Sequence, residues 1–385
     1  MDIASSESQN KVLIAMSGGV DSSVAAHILL EQGYDCTGAM MKLYTDEIIE
    51  LGTNYSVNFS TDGYFSAGNF DAVSNRGCCS LEDVEDARAV ATALGIPFFV
   101  FNFSDSFAKE VMDRFVNAYS KGLTPNPCID CNRFMKFERF LARATELEVE
   151  YIATGHYAKI TRDANGRHLL ARGIDTSKDQ TYVLYAMTQP QLARTLFPLG
   201  SLTKDEVRDI AAKLDFTTAT KRDSQDICFA PDKDYAGFIT RYTGKVSKPG
   251  DFISQNGEIL GQHKGIIHYT IGQRKGLGIY GAEPVYVSKI NPAKNTVTVG
   301  PQGQLFAKSL TATDINFIPM DKLDTPLNIH AKIRYSHPGQ PAKLWQTDTN
   351  EFHVEFTQPQ RAITPGQAVV LYDGDIVIGG GTIVA

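Results

Sequence analysis

The 385-residue sequence has no apolar run long enough to span a bilayer, and its polar opening stretch, residues 1–10, shows no leader pattern. Together these two absences lead us to expect a cytoplasmic protein. There is no excess of positive charge either. Thirty-seven Lys and Arg against 44 Asp and Glu leave a net charge of −7. This excludes a broad, nonspecific nucleic-acid binder but leaves room for a local basic surface. Cysteine is sparse, with six residues, Cys36, Cys78, Cys79, Cys128, Cys131 and Cys228. In a long cytosolic chain such thiols point to chemistry or metal binding, not to a disulfide framework. No internal repeat is visible. With 43% hydrophobic and 21% charged residues, the chain reads as globular, with core enough for two or three domains.

The chain is organised around Ser17-Gly18-Gly19-Val20-Asp21-Ser22-Ser23, directly after the apolar run Lys11–Met16. The run is short and bounded by glycines, as a buried parallel strand is. Residues 24–32, ending at Gly33, read as a helix with a glycine stop. A strand, a glycine loop and a helix N-terminus in that order make an anion site, because backbone N–H groups and the helix dipole both face the ligand. The loop has neither the lysine of a Walker motif nor G-x-G-x-x-G spacing.

Residues 11–220 alternate strand and helix signals, which predicts a doubly wound α/β sheet. Further strands are expected at Tyr34–Tyr44, Val100–Phe103 and Tyr151–Thr154, and helices at Leu81–Leu94 (capped by Ser80), Phe107–Lys121 and Arg133–Leu147. Ligands of such sheets sit beyond the carboxyl ends of the strands, which places Met41 and Gly155-His156 near the nucleotide. Residues 45–77, rich in Asn, Ser, Gly and Asp, read as an insertion or mobile lid and not as core. From Lys221 onward turn pairs such as Asn256-Gly257 and Asp373-Gly374 take over, predicting two small antiparallel β domains, the last of them barrel-like. The expected division is a catalytic domain at 1–224, a central β-rich domain at 225–284 and a C-terminal β domain at 285–385. The stretch Gly265–Leu277, with His268, Arg274 and Lys275, is basic and glycine-rich, suited to a phosphate backbone.

A second centre is Thr124-Pro125-Asn126-Pro127-Cys128-Ile129-Asp130-Cys131. The prolines stiffen this loop and forbid helix before Cys128. Cys131 is expected at the N-terminus of the next helix, where the dipole lowers a thiol pKa. Cys228 follows far downstream, with Lys221 and Arg222 as basic neighbours that favour a thiolate. A lone C-x-x-C fits half a zinc site, a redox pair or two packed thiols, and no second C-x-x-C completes a zinc site. Three thiolates also suit an iron–sulfur cluster with one open iron, and two suit sulfur transfer. Cys36 and the Cys78-Cys79 pair read as packing or loop thiols.

With both centres in view, the chain resembles the tRNA-specific 2-thiouridylases, within the N-type ATP pyrophosphatases. The resemblance runs almost end to end, through SGGVDSS, TPNPCIDCN, YIATGHYAKI, SKDQTYVLY, RDSQDICF, HYTIGQRKGLGI, ITPGQAVVLYDGD and IGGGTI. It implies ATP-dependent replacement of the C2 oxygen of the wobble uridine by sulfur. It further implies ATP contacts at Ala15, Met16, Ser17, Gly18, Gly19, Val20, Asp21, Ser22, Met41 and Gly155. The target base would meet Asn126, Pro127 and Cys128, and tRNA would meet His156, Lys178, Asp179, Gln180, Arg334, Tyr335 and Gln367. Cys131 corresponds to the nucleophile and Cys228 to the persulfide carrier, which leaves a Cys131–Cys228 disulfide to be reduced.

Many members carry Asp where this chain has Cys128. The three-cysteine members resemble iron–sulfur-dependent enzymes, with Cys128, Cys131 and Cys228 on a [4Fe-4S] cluster. Mg²⁺ is expected near Asp21, and a cysteine-desulfurase relay is the expected sulfur donor. The chain is expected to act as a monomer. A small-molecule pyrophosphatase of the amidotransferase or argininosuccinate synthase type shares the ATP chemistry but leaves the thiols unexplained. A noncatalytic tRNA-binding protein leaves the intact loop unexplained.

Overall fold

The computed structural model describes residues 10–44, 81–221, 227–230, 233–279 and 283–384. The insertion expected at 45–77, Cys78-Cys79, the Ser80 cap and Arg222 lie outside the described residues.

Five parallel strands form the first sheet: β1 (Lys11–Ala15), β2 (Asp35–Lys42), β3 (Phe98–Asn102), β4 (Tyr151–Ala153) and β7 (Thr195–Leu196), in the order β3-β2-β1-β4-β7. The central strand alternates between two cores, as a pleated strand must. Val12 and Ile14 pack with the helices Val20–Glu31, Leu81–Ala93 and Lys204–Lys213. Leu13 faces the opposite side, with Phe137, Phe140 and Ala144 of a long helix over residues 127–146. The strand order reverses between β1 and β4, so the crevice at their carboxyl ends is the switch point where open α/β sheets take ligands.

A second sheet holds β8 (Gly250–Ile253), β9 (Ile259–His263), β10 (Tyr286–Asn291) and β11 (Thr296–Gly300), ordered β10-β11-β8-β9. Its strands β8 and β11 pair in parallel, Phe252 opposite Val297. The boundary expected near residue 285 therefore falls inside this sheet. Turn signals mark chain reversals, and they do not report which strands pair across them. Gly265–Leu277 is an irregular loop packed on this sheet, with Ile266 and Ile267 buried and Arg274 and Lys275 exposed.

The last six strands are β12 (Phe306–Phe317), β13 (Leu327–Lys332), β14 (Gln340–Asp348), β15 (Glu351–Arg361), β16 (Ala368–Asp373) and β17 (Ile376–Ile383). Pairing of β12 with β17 closes them into a barrel, which leaves no free edge around the closed ring. The hairpin β5 (Ala158–Arg162) and β6 (His168–Arg172) leaves the first domain and joins β17 of the barrel. The catalytic segment expected at 1–224 is thus not self-contained. Arg172 lies over the Tyr372 ring at 4.3 Å, and Tyr182 Oη donates to the Ala368 carbonyl at 2.9 Å. Arg133 reaches Asp314 of the barrel with both guanidinium nitrogens, at 2.7 and 3.4 Å.

Candidate active site

The glycine loop leaves β1 at the switch point. Gly18 has φ +70°, and a side chain there would run into the backbone of Asp83 at the start of the neighbouring helix, so both conformation and space require glycine. The hydroxyls hold the loop together. Ser22 Oγ accepts from the Ser17 N–H at 3.1 Å and donates to the Gly19 carbonyl at 3.1 Å, and Ser23 Oγ donates to the same carbonyl at 2.9 Å. Gly19 caps the helix without a side-chain partner for its first N–H groups, an arrangement that suits an anion. Gly155 follows β4, and a side chain there would stand 2.8 Å from the backbone of Asp21 and Ser22. Gly155 is thereby placed against the loop, and Met41, near the end of β2, packs against the Leu13 core and against the cluster of Tyr44, Phe107 and Phe115.

Two residues that sequence reasoning missed close this site. Lys204 is 6% exposed, and its Nζ donates to both carboxylate oxygens of Asp21, at 2.7 and 2.9 Å. Tyr157 Oη donates to Asp21 Oδ1 at 2.7 Å. The loop itself has no lysine, and the fold brings one from 183 positions away. Its only local signal was Thr203-Lys204-Asp205-Glu206, a helix-capping pattern whose Thr203 and Glu206 bond reciprocally.

The thiol loop differs from expectation in register. The helix starts at Pro127, with Asn126 as its cap and the Cys128 N–H donating to Asn126 Oδ1 at 3.1 Å. Proline is tolerated at a first helical position because it lacks an N–H that would go unpaired there. Cys128, not Cys131, therefore sits in the first turn. Cys128 is exposed, whereas Cys131 and Cys228 are half-buried and pack against one aromatic cluster that includes Tyr44, Phe107, Phe115 and Phe229. Tyr44 Oη donates to the Cys228 carbonyl at 2.9 Å. Lys221 does not serve Cys228 as expected: its Nζ is held at 2.6 Å by both Asp83 and Asp86. Cys36 is buried, and burial followed by Asp35 pushes its thiol up to about 11, as befits a packing residue. Between the two thiols, burial pushes the Asp130 carboxyl up to about 6 although Arg114 Nε lies 3.3 Å away.

The residues expected to meet tRNA have the following surroundings. Tyr335, 46% exposed in a turn after β13, donates from Oη to the Asp179 carbonyl at 3.3 Å. Burial, then the charges of Asp179 and Cys128, raise its phenol pKa. Arg334 donates to the Arg361 carbonyl at 3.4 Å. Lys178 ends a short 3₁₀ turn, and Asp179 is buried, with its Oδ1 accepting from Thr181 Oγ1 at 2.6 Å. Gln180 Oε1 accepts from the Tyr157 N–H at 2.9 Å. Gln367 Nε2 donates to the carbonyls of Thr124 and Pro125 at 2.8 and 3.3 Å, tying the barrel to the loop that leads into Cys128. His156 is only 6% exposed, between the rings of Phe137 and Phe197. Burial, then the Lys136 charge, holds it well below the usual histidine range.

Among the described residues, no three His, Cys, Asp or Glu side chains converge as metal ligands. Cys128, Cys131 and Cys228 are accordingly not gathered around a single ion position. No described helix is long and apolar enough to cross a membrane.

Three family models match in sequence: a tRNA methyl transferase HUP domain over residues 10–232, a tRNA methyl transferase PRC-barrel domain over 236–301 and an aminomethyltransferase β-barrel domain over 307–383. The chain is similar along nearly its whole length to proteins named tRNA-specific 2-thiouridylase MnmA. That of Acetivibrio thermocellus is 51% identical over 379 residues, 98% of this chain and 99% of the relative. Those of Lachnoclostridium phytofermentans and Clostridioides difficile are each 48% identical, over 97% of this chain and 99% and 98% of their own length. Half of all positions shared from the glycine loop to the closed barrel is far more than a common sheet would require, and this chain belongs to the tRNA-specific 2-thiouridylase family.

Proposed function

We propose that this protein transfers sulfur to the C2 position of a wobble uridine in tRNA, using ATP to activate the C2 oxygen. The uridine oxygen attacks the α-phosphorus of ATP. A new P–O bond forms, and the bond to pyrophosphate breaks with its electron pair leaving on pyrophosphate. The loop from Ser17 to Ser22 cradles the departing phosphates, and Lys204 cancels the negative charge of Asp21 beside them. Both oxygens of Asp21 accept from Lys204 Nζ, so Asp21 would hold Mg²⁺ only if that lysine turned to the substrate phosphates; the ion would then neutralise phosphate charge.

In the sulfur step the terminal sulfur of a Cys228 persulfide attacks C2, and AMP departs with the C2–O electron pair. The Cys131 thiolate then attacks Cys228 Sγ and breaks the S–S bond, leaving the sulfur on C2 as 2-thiouridine. The resulting Cys131–Cys228 disulfide is reduced by an external dithiol. The donor that loads Cys228 is a persulfide-carrying protein. This step uses Cys131 and Cys228, the two thiols that pack against one aromatic cluster, and does not require Cys128. The wobble base must leave its stack to reach Cys128 and the turn around Tyr335, a displacement of the base-flipping kind.

The observation that carries this reading is the junction at residues 124–128, where the barrel's Gln367 holds the loop entering Cys128. A small-molecule pyrophosphatase would have no use for a barrel fastened there. The test is AMP formation from ATP with and without wobble-uridine tRNA. The wild type should form AMP only when that tRNA is present. Asp21→Asn should lower the rate on the order of 10²-fold while tRNA binding stays. AMP formation that ignores tRNA would overturn the reading.

A further inference from the structure

His156 and Lys136 form a second polar unit beside the glycine loop. His156 follows Gly155, whose backbone is pressed against Asp21 and Ser22, so its backbone stands at the switch point. Phe137 and Phe197 flank it at 6.0 and 5.8 Å between centroids, which prevents it from swinging out. Its Nδ1 lies 2.7 Å from Thr154 Oγ1, and its Nε2 lies 3.4 Å from Lys136 Nζ. An ammonium group can only donate. Nε2 must therefore accept, and Nδ1 carries the proton and donates to Thr154. Burial keeps the ring neutral.

Lys136 thus differs from the other lysines of the site. Lys204 faces Asp21, and Lys221 faces Asp83 and Asp86. Among the described residues, Lys136 Nζ has one hydrogen bond, to a neutral imidazole, and no carboxylate within ion-pair reach. A cation held by an uncharged acceptor is poised for an anion that the protein itself does not provide. One turn earlier, at i and i+4 on the same helix, the buried Asn132 donates to the Val183 carbonyl at 3.1 Å, but its Oδ1 has no partner. A ligand on this face would therefore meet both a cation and an open acceptor.

The backbone explains how Lys136 comes to share a face with the thiol. Residues Cys131–Phe140 are wound as a π-helix, in which i→i+5 hydrogen bonding brings position i+5 back close to position i. An α-helix turns five residues through about 500°, well past alignment. Cys131 and Lys136 are therefore neighbours along one face of this widened helix.

We propose that Lys136 is a catalytic residue of the activation step, and that His156 positions it. Its ammonium meets the oxygens of the α-phosphoryl group as charge gathers there during attack by the uridine oxygen. Lys136 keeps its proton throughout; its contribution is electrostatic. The proposal rests on the function given above.

Single-turnover AMP formation with wobble-uridine tRNA, together with separate ATP and tRNA binding, tests it. Lys136→Met should lower the rate on the order of 10²-fold, with both affinities within about threefold. Lys136→Arg should restore part of the rate. His156→Gln, which keeps an acceptor, should exceed His156→Leu. Unchanged turnover in Lys136→Met, or a loss of ATP affinity as large as the loss of rate, would overturn the proposal while leaving the sulfur-transfer reading in place. A wild type that forms no tRNA-dependent AMP would overturn both. Should Lys136→Met not fold, ¹⁵N NMR of the wild-type imidazoles decides: His156 protonated on Nδ1 is required, and protonation on Nε2 would refute the arrangement.

Discussion

At the scale of single residues, the chemistry depends on which charges have partners. The carboxylate of Asp21 is met by Lys204 and Tyr157, so the loop enters the reaction with its acid neutralised. The three thiols divide by exposure and by what they pack against. Cys131 and Cys228 line one aromatic core, and Cys128 stands outside it, exposed. Sulfur transfer through a persulfide needs the first two only. Cys128→Ala should therefore keep thiolation within about threefold of wild type, whereas Cys131→Ser and Cys228→Ser should each abolish it. The thiouridine content of tRNA after reaction measures this, and loss of activity in Cys128→Ala would bring the three-thiolate cluster back. Sequence identified these cysteines by spacing. It did not reveal Lys204 or Lys136, because a lysine in a capping box and a lysine within an aromatic-rich helix look like any solvated cation.

Among the elements, the helix over residues 127–146 does the most for the site. It begins at the capped, proline-led turn Asn126–Cys128, carries Cys131 and Lys136 on its π-wound stretch, and buries Phe137 and Phe140 under the sheet. The loop was legible from its prolines, but the start of the helix was not. Pro127 looked like a barrier and is the first helical residue, since only helix interiors are closed to proline. The cap can be tested directly. Asn126→Ala should cost about 1 kcal/mol and Asn126→Asp much less, read as the denaturant midpoint of the transition that reports this helix. Equal stability in all three proteins would show that the cap contributes nothing. The π-winding has no counterpart in the sequence pattern, because a register change of one residue leaves the apolar spacing almost intact.

For the whole molecule, the decisive feature is that the barrel at the far end of the chain holds a loop of the first domain. Gln367 donates to two carbonyls of the 124–125 segment, the Thr124 N–H donates to the Pro365 carbonyl at 3.0 Å, and the β5–β6 hairpin extends the barrel sheet. Gln367→Ala should therefore slow tRNA-dependent AMP formation by about tenfold, the effect of a displaced positioning group, with ATP affinity unchanged. A parallel loss of ATP binding would mean that the clamp serves the nucleotide pocket instead. Sequence alone determined the local matters: a strand, a glycine loop and a helix that take an anion, two β-rich segments after residue 221, and thiols with the spacing of reactive groups. Each of these follows from residues within one or two turns of one another, where period, glycine and proline dictate the backbone. Tertiary structure alone decided that Lys204 answers Asp21, that Lys221 answers the acids of another helix, that strands on both sides of residue 285 share a sheet, and that Gln367 reaches the thiol loop. Those pairings join positions tens to hundreds of residues apart, and they are selected by packing and charge once the sheets have closed, with no periodicity in the chain to record them.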